Sequence, residues 1–291
     1  MSVLKSTRRN SKTQVAIFLF SLIALLVFIA MGVPPTAADF LSTSSSVLSS
    51  SIDTTNAITS HLYLPFIGKN ISCPIPGGSY ATLAVLSDPT DRPAELHADL
   101  NLALRGYTPT VSTLGLVDLG GTVADPSAPQ LATLFVDNRV PIFKHVYQVY
   151  DWDWTNNVRG QPLTDWNVTL AGVGMSPGES VCVPSSGYNI GHLPIDYEAL
   201  VLYASTNRIT LKYTRDDNVK LGYTIHIENI SVDPGLLALY QSMNSAGRGY
   251  LPALFVGQYI GRAITTEIQI AIRDAGEFMD PRSHGDWWQG K

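Results

Sequence analysis

Tyr147 to Trp154 (YQVYDWDW) alternates aromatic and acidic side chains at the spacing of an extended strand. With a period of two, Tyr150, Trp152 and Trp154 share one face and Asp151 and Asp153 the other. Asn156, Asn157 and Trp166 follow closely. Aromatic rings beside Asp and Asn suit a sugar, which offers an apolar ring face for packing and hydroxyls for hydrogen bonding. On this reading the glycan contacts are Tyr150, Trp152, Trp154 and Trp166. The competing reading puts the same rings in the core beside a turn.

Other chemistry is thinly represented. The sequence has no Gly-rich phosphate loop, no His-Glu-x-x-His and no Gly-x-Ser-x-Gly elbow. Its six histidines stand at 61, 97, 145, 192, 226 and 284, and no two have the i, i+2 or i, i+4 spacing of a local metal clamp. His226 alternates with Ile225 and Ile227 and reads as structural. Asp216 and Asp217 fall in Thr214-Arg215-Asp216-Asp217-Asn218, between two β-rich runs, so they read as turn residues rather than a catalytic dyad. Three Asn-x-Ser/Thr sequons, at Asn70, Asn167 and Asn229, matter only in a host that glycosylates them.

The last 120 or so residues carry a resemblance in four segments that keep order and approximate spacing. Ser176 to Gly187 (SPGESVCVPSSG) resembles a "P-x-G-T-P-V-x-A-x-x-x-G" strand, and Gly222 to Ile230 (GYTIHIENI) a "G-Y-x-T-x-Y-x-H-L" strand. Val256 to Arg262 (VGQYIGR) is similar to a "G-Q-x-I-G" turn, and Glu267 to Pro281 (EIQIAIRDAGEFMDP) to a closing "H-L-H-F-E-I-R-x-x-G-x-x-x-D-P". These are the segments of lysostaphin-type peptidoglycan metalloendopeptidases, the LytM-like β fold. Upstream, His97-Ala98-Asp99-Leu100-Asn101 resembles that family's first ligand motif, "H-x-G-x-D", with residues 102–175 then forming an insertion.

The resemblance implies a zinc-bound water attacking a peptide bond, but the ligand positions have changed. His97 is kept. Asn101 replaces the aspartate, Asn229 the histidine of the second strand, and Glu267 and Gln269 the two histidines of the closing motif. A neutral amide is a poor zinc ligand, so His97 and Glu267 fall short of the three protein ligands of a catalytic site. The expectation is a peptidase-like frame with a degenerate site at His97, Asn101, Asn229, Glu267 and Gln269, and no cofactor. Zinc enters only if the register is shifted and His226 or His192 supplies a ligand. Glu267 and Gln269 alternate with Ile268 and Ile270 on one strand face, where plain solvent exposure is the simpler reading.

The elements that position these residues are mainly strands. Short β-branched and aromatic runs recur between Gly, Pro, Asn and Asp clusters, at Tyr80–Leu86, Phe143–Trp154, Val168–Val173, Ser180–Val183, Ala199–Tyr203, Arg208–Tyr213, Tyr223–Ile230 and Thr266–Ile272. They predict a mainly β, antiparallel sandwich or barrel. One short helix is expected, capped by Asp233 with Pro234 at its first position, giving way to a loop over Gln241–Gly249. Trp287 and Trp288 must either pack back on the domain or form an exposed patch.

The N-terminus predicts export. Residues 1–14 carry Lys5, Arg8, Arg9 and Lys12 and no acid, and Val15–Met31 is an uncharged apolar run. This segment (15–33) reads as a transmembrane or signal-anchor helix that leaves the C-terminal bulk outside, or as a signal cleaved near Ala38. Residues 39–60 hold 12 Ser or Thr among 22 and read as a linker to a β-rich domain at 61–291, with its lysostaphin-like portion at 176–282. Outside the cytoplasm Cys73 and Cys182 are free to pair, closing a loop of about 110 residues worth about 4–5 kcal/mol in the chain-entropy model. A net charge of -5 without a basic stripe beyond the leader excludes nucleic acid. The combined expectation is a single-pass or secreted cell-envelope protein that binds or scaffolds, with a cell-wall glycan or peptide, or an envelope protein, as partner. An active zinc endopeptidase and a carbohydrate-binding β module are the alternatives.

Overall fold

The computed structural model describes residues 73–119, 125–191 and 196–291. The apolar run Val15–Met31, the Ser/Thr linker, His61, Asn70 and His192 lie outside them. Among the described residues no helix is long and apolar enough to cross a membrane.

Every β-rich run of the sequence becomes a strand. In chain order they are β1 (Ala81–Ala84), β2 (Tyr107–Pro109), β3 (Phe143–Asp153), β4 (Val158–Pro162), β5 (Leu170–Gly174), β6 (Ser180–Cys182) and β7 (Ala199–Ser205). There follow β8 (Arg208–Lys212), β9 (Tyr223–Glu228), β10 (Ile230–Val232), β11 (Tyr250–Leu254), β12 (Tyr259–Ala263), β13 (Glu267–Asp274) and β14 (Glu277–Met279). The main sheet runs β1-β11-β7-β8-β9-β13-β5-β3-β2, with β14 on β13 and β4 on β3, and every pairing in it is antiparallel. A second sheet orders β10-β12-β6. The stretch expected as an insertion, 102–175, supplies β2 to β5, and β5 bonds directly to β13.

The two faces of the main sheet differ. Ile209, Leu211, Ile225, Ile227, Ile268, Ile270 and Ile272 point to the principal core, which also holds Val181, Val232 and Ile260 of the second sheet. Trp287 and Trp288 close that core, buried and donating their indole N–H groups to the carbonyls of Asp280 and Pro281 at 2.9 Å each. The alternate residues of the same strands form a polar face. Only a small apolar cluster covers it, built from Leu102, Val149, Leu170, Ala271 and Phe278. The helix α1 (Leu102–Arg105) lies in this cover.

Among the described residues three α-helices stand where one short helix was expected: α1, α2 (Pro234–Ser245) and the single turn α3 (His284–Trp287). The Asp233 carboxylate caps α2 by accepting from Gly235 and Leu236 N–H at 2.8 and 3.1 Å. The expected loop at Gln241 is instead helix as far as Ser245. Leu236 and Tyr240 bury one face at i, i+4 spacing, so exposed Gln241 and Ser242 are the outer face of a continuing helix. Gly247, with φ +92°, ends the run. Cys73 and Cys182 form a disulfide that ties the start of the described chain to β6.

Candidate functional site

Antiparallel register aligns Arg208, Glu228, Gln269, Gly172 and His145 in one row across β8, β9, β13, β5 and β3. Glu267, two residues before Gln269, shares their face. Its carboxylate crosses β5 over Gly172, where any Cβ would collide with it. Through that gap Oε2 meets His145 Nδ1 at 2.5 Å. Oε1 accepts from Gln269 Nε2 at 2.9 Å and Tyr147 Oη at 3.3 Å. Burial, followed by the Glu267 charge, pushes the Tyr147 phenol up to about 12, so Tyr147 stays a neutral donor. Asn229 donates its amide to Glu267 O at 2.5 Å and Thr265 Oγ1 at 2.8 Å. Glu267 is 8% exposed, which corrects the expectation of plain solvent exposure. A glycine on the neighbouring strand lets the side chain fold inward rather than outward. The arrangement holds an imidazole on a buried carboxylate, as a general base is held. Among the described residues no hydroxyl or thiol nucleophile hydrogen-bonds His145.

Beside this row lies a buried ionic cluster. Asp99 Oδ1 accepts from Arg105 Nη2 and Arg273 Nη1, both at 2.8 Å. Burial pushes the Asp99 carboxyl up, but the charges of Arg273 and Arg105 outweigh it and bring it down to about 2. The Phe278 ring packs against both guanidiniums, at 5.5 Å for Arg105 and 4.4 Å for Arg273, and stacks on His226. Thr210 Oγ1 donates its one proton to Leu100 O at 2.7 Å. It therefore accepts from His226 Nδ1, 3.0 Å away, and leaves Nε2 buried without a partner. Burial, then the Arg273 charge, lowers His226 to about 3. His226 is thus a neutral structural residue, as its alternation predicts.

Next to Asp99 opens a cavity of about 500 Å³. Four separate segments line it: Ser87–Asp91, His97 with Asp99, Trp154, and Asp217 with Asn218 and Lys220. His97 Nδ1 accepts the Asp99 N–H at 3.2 Å, so Nε2 carries the proton, 3.7 Å from Asp91 Oδ1. Burial lowers the His97 pKa despite the nearby acids, which keeps the ring neutral. Trp154 meets the His97 ring edge-on at 5.2 Å and lies under the Arg92 guanidinium at 5.0 Å. Arg92 is itself held by Asp91 and by Asn157 Oδ1. Trp154 stays 41% exposed.

The five degenerate-site positions therefore divide. Asn229, Glu267 and Gln269 are joined by hydrogen bonds, whereas His97 belongs to the Trp154 cavity. Asn101 caps α1 by accepting from Ala103 N–H and donates to Glu95 O, and no hydrogen bond links it or His97 to the other three. Among the described residues no group of three or more His, Cys, Asp and Glu side chains is placed to hold a metal ion.

The aromatic side chains differ in exposure along the strand, although Trp152 and Trp154 meet edge to face with ring centroids 6.4 Å apart. The pairing of β3 slips between Phe143 and His145 and again between Tyr150 and Trp152. The first slip adds Lys144 to β3, whereas the second adds its residue to β4, where Gly160 and Gln161 oppose Asp151, so β3 keeps its alternation from Tyr150 to Asp153. Trp152 is buried, at 8% exposure, while Arg159 covers Tyr150 at 5.1 Å. Trp166 is half-buried and makes no ring contact with the other three. Asp217, placed in a turn by sequence, is buried and bidentate to Arg248 at 2.6 and 2.8 Å.

Sequence reasoning passed over His145, Tyr147, Thr90, Asp91 and Lys220. Only His145 and Tyr147 carried a usable signal, their i, i+2 spacing on one strand. No family model, no curated protein and no solved structure matches the chain.

Proposed function

We propose that this is a binding module displayed on the outer side of a membrane, with its ligand in the Trp154 cavity. The observation that carries this reading is the composition of that cavity. One half-exposed tryptophan stands among hydrogen-bonding side chains brought from residues 87–99 and 217–220, in a volume suited to a small ligand or the end of a polymer. The basic leader, apolar run and Ser/Thr linker support delivery through the membrane, and the disulfide accords with an oxidising compartment. Cell-wall glycan, wall peptide or an envelope protein is the partner class. Asn229, Glu267 and Gln269 are each hydrogen-bonded within their own row and stand apart from His97 and Asn101, so they are not part of the proposed binding cavity.

The test is co-sedimentation of the detergent-solubilised full chain with delipidated cell-wall polymer. The expected result is retention of the native chain and release of Trp154→Ala, with the circular dichroism of the two unchanged. Equal retention of both chains, or of neither, overturns the assignment.

A further inference from the structure

We infer that the Trp154 cavity takes a neutral, hydroxyl-rich ring, a saccharide, and not a metal cation, a basic peptide or a phosphate. This rests on the binding reading above and adds the chemical class of the ligand.

Charge is the deciding quantity. The cavity shows the carboxylates of Asp88, Asp91, Asp99 and Asp217, which at first sight suggest a cation site. Three of them are already paired with arginines. Asp91 is bidentate to Arg92 at 2.9 and 3.1 Å, Asp217 bidentate to Arg248, and Asp99 held by both Arg105 and Arg273. That leaves Asp88 against Lys220, and His97 is neutral. A divalent cation or a lysine-rich peptide would need carboxylates that are not already paired. A phosphate would need cations, and the four arginines are all engaged on acids.

What remains is hydrogen-bonding capacity of both signs. Asp99 receives both arginines on Oδ1, so Oδ2 has no partner among the described residues. Thr90 Oγ1 is buried and unpartnered. His97 Nε2–H and the Lys220 ammonium add donors. A sugar hydroxyl both donates and accepts, so a mixed and nearly neutral wall suits it. Trp154 adds the apolar surface against which a sugar's axial C–H face packs.

Calorimetry on the full chain in detergent tests this with four probes: a panel of neutral oligosaccharides that includes N-acetylated hexosamines, trilysine, calcium chloride and inorganic phosphate. At least one saccharide is expected to bind, with affinity falling at least tenfold in Trp154→Ala and several-fold in Thr90→Val. The ionic probes should give no saturable heat that depends on Trp154. Trp154-dependent binding of trilysine, calcium or phosphate in place of saccharide overturns the ligand class and leaves the module reading standing. If no saccharide of the panel binds at millimolar concentration, the ligand class is wrong, and co-sedimentation with wall polymer then decides the module reading separately. Native-like unfolding curves for both variants keep loss of fold from imitating loss of binding.

Discussion

Glu267, on β13, and Asp99, in a turn that packs against Arg273 of the same strand, are largely buried carboxylates satisfied in opposite ways. Glu267 takes three side-chain donors spread over both oxygens, from His145, Tyr147 and Gln269. Asp99 takes two guanidiniums on a single oxygen and keeps the other free at the edge of a cavity. The row around Glu267 is closed upon itself, and the pocket around Asp99 keeps bonds to offer. The presence of acids, histidines and aromatics does not separate the two regions. The number of donor and acceptor positions left over does, because a buried polar group binds a ligand only with capacity its neighbours have not used.

The largest expected effect is that of Asp99→Ala, which leaves Arg105 and Arg273 buried side by side without their shared anion. It should cost about 3–5 kcal/mol in denaturant unfolding, the scale for breaking a buried ion pair. A loss below about 1 kcal/mol would mean that the carbonyls these arginines also contact carry the pair, and the contrast with Glu267 would lapse.

Acid should expose the same cluster. His226 titrates near 3 in the folded chain against an ordinary value near 6.5, so between these the unfolded chain binds a proton that the folded one does not. Its contribution therefore falls as pH drops from about 6.5 toward 3, by up to roughly 4 kcal/mol. Asp99, depressed to about 2, adds a loss of the same sign only below its ordinary value near 3.8. Stability against pH for His226→Gln should be flatter between pH 6 and 4 than for the native chain. Parallel curves would show that something other than His226 governs that range.

The Glu267 row should respond less and locally. Glu267→Gln is expected to lose about 1–3 kcal/mol, since His145, Tyr147 and Gln269 lose a charged acceptor. Gly172→Ala should fall in a similar range by overpacking, about 1–3 kcal/mol. The double variant should cost less than the sum, because the alanine acts through the carboxylate the first change has already altered. Neither change should move saccharide affinity by more than about twofold, and a larger shift would join the two regions that we separate. The smallest effect on stability is that of Trp154→Ala, within about 1 kcal/mol for a ring this exposed, although it should have the largest effect on binding.

Much of the architecture was legible from local pattern. The run Ser180–Val183 became β6, Arg208–Tyr213 and Tyr223–Ile230 supplied the β8–β9 hairpin, and Asp233-Pro234 opened α2. Each of these rests on a few adjacent residues. The site was less legible, and Trp152 shows why. Strict alternation put it beside Trp154, and the two rings do meet at 6.4 Å, but tertiary packing buries Trp152 and leaves Trp154 41% exposed, a difference no local pattern encodes.

Period-two patterning, turn chemistry, helix capping and the supply of two cysteines were therefore determined by the sequence itself, because backbone sterics and hydrogen bonding act over a few residues. Tertiary structure alone decided which chemistry-bearing groups meet. His145 reaches Glu267, 122 residues away, because β5 lies between their strands and carries glycine at the crossing point. The Trp154 cavity exists because residues 87–99, 154 and 217–220 converge on one side of the sheet, with Asp99 and Asp217 already engaged by Arg105, Arg273 and Arg248. Strand order and burial set those distances, and neither is encoded in the spacing of any single segment.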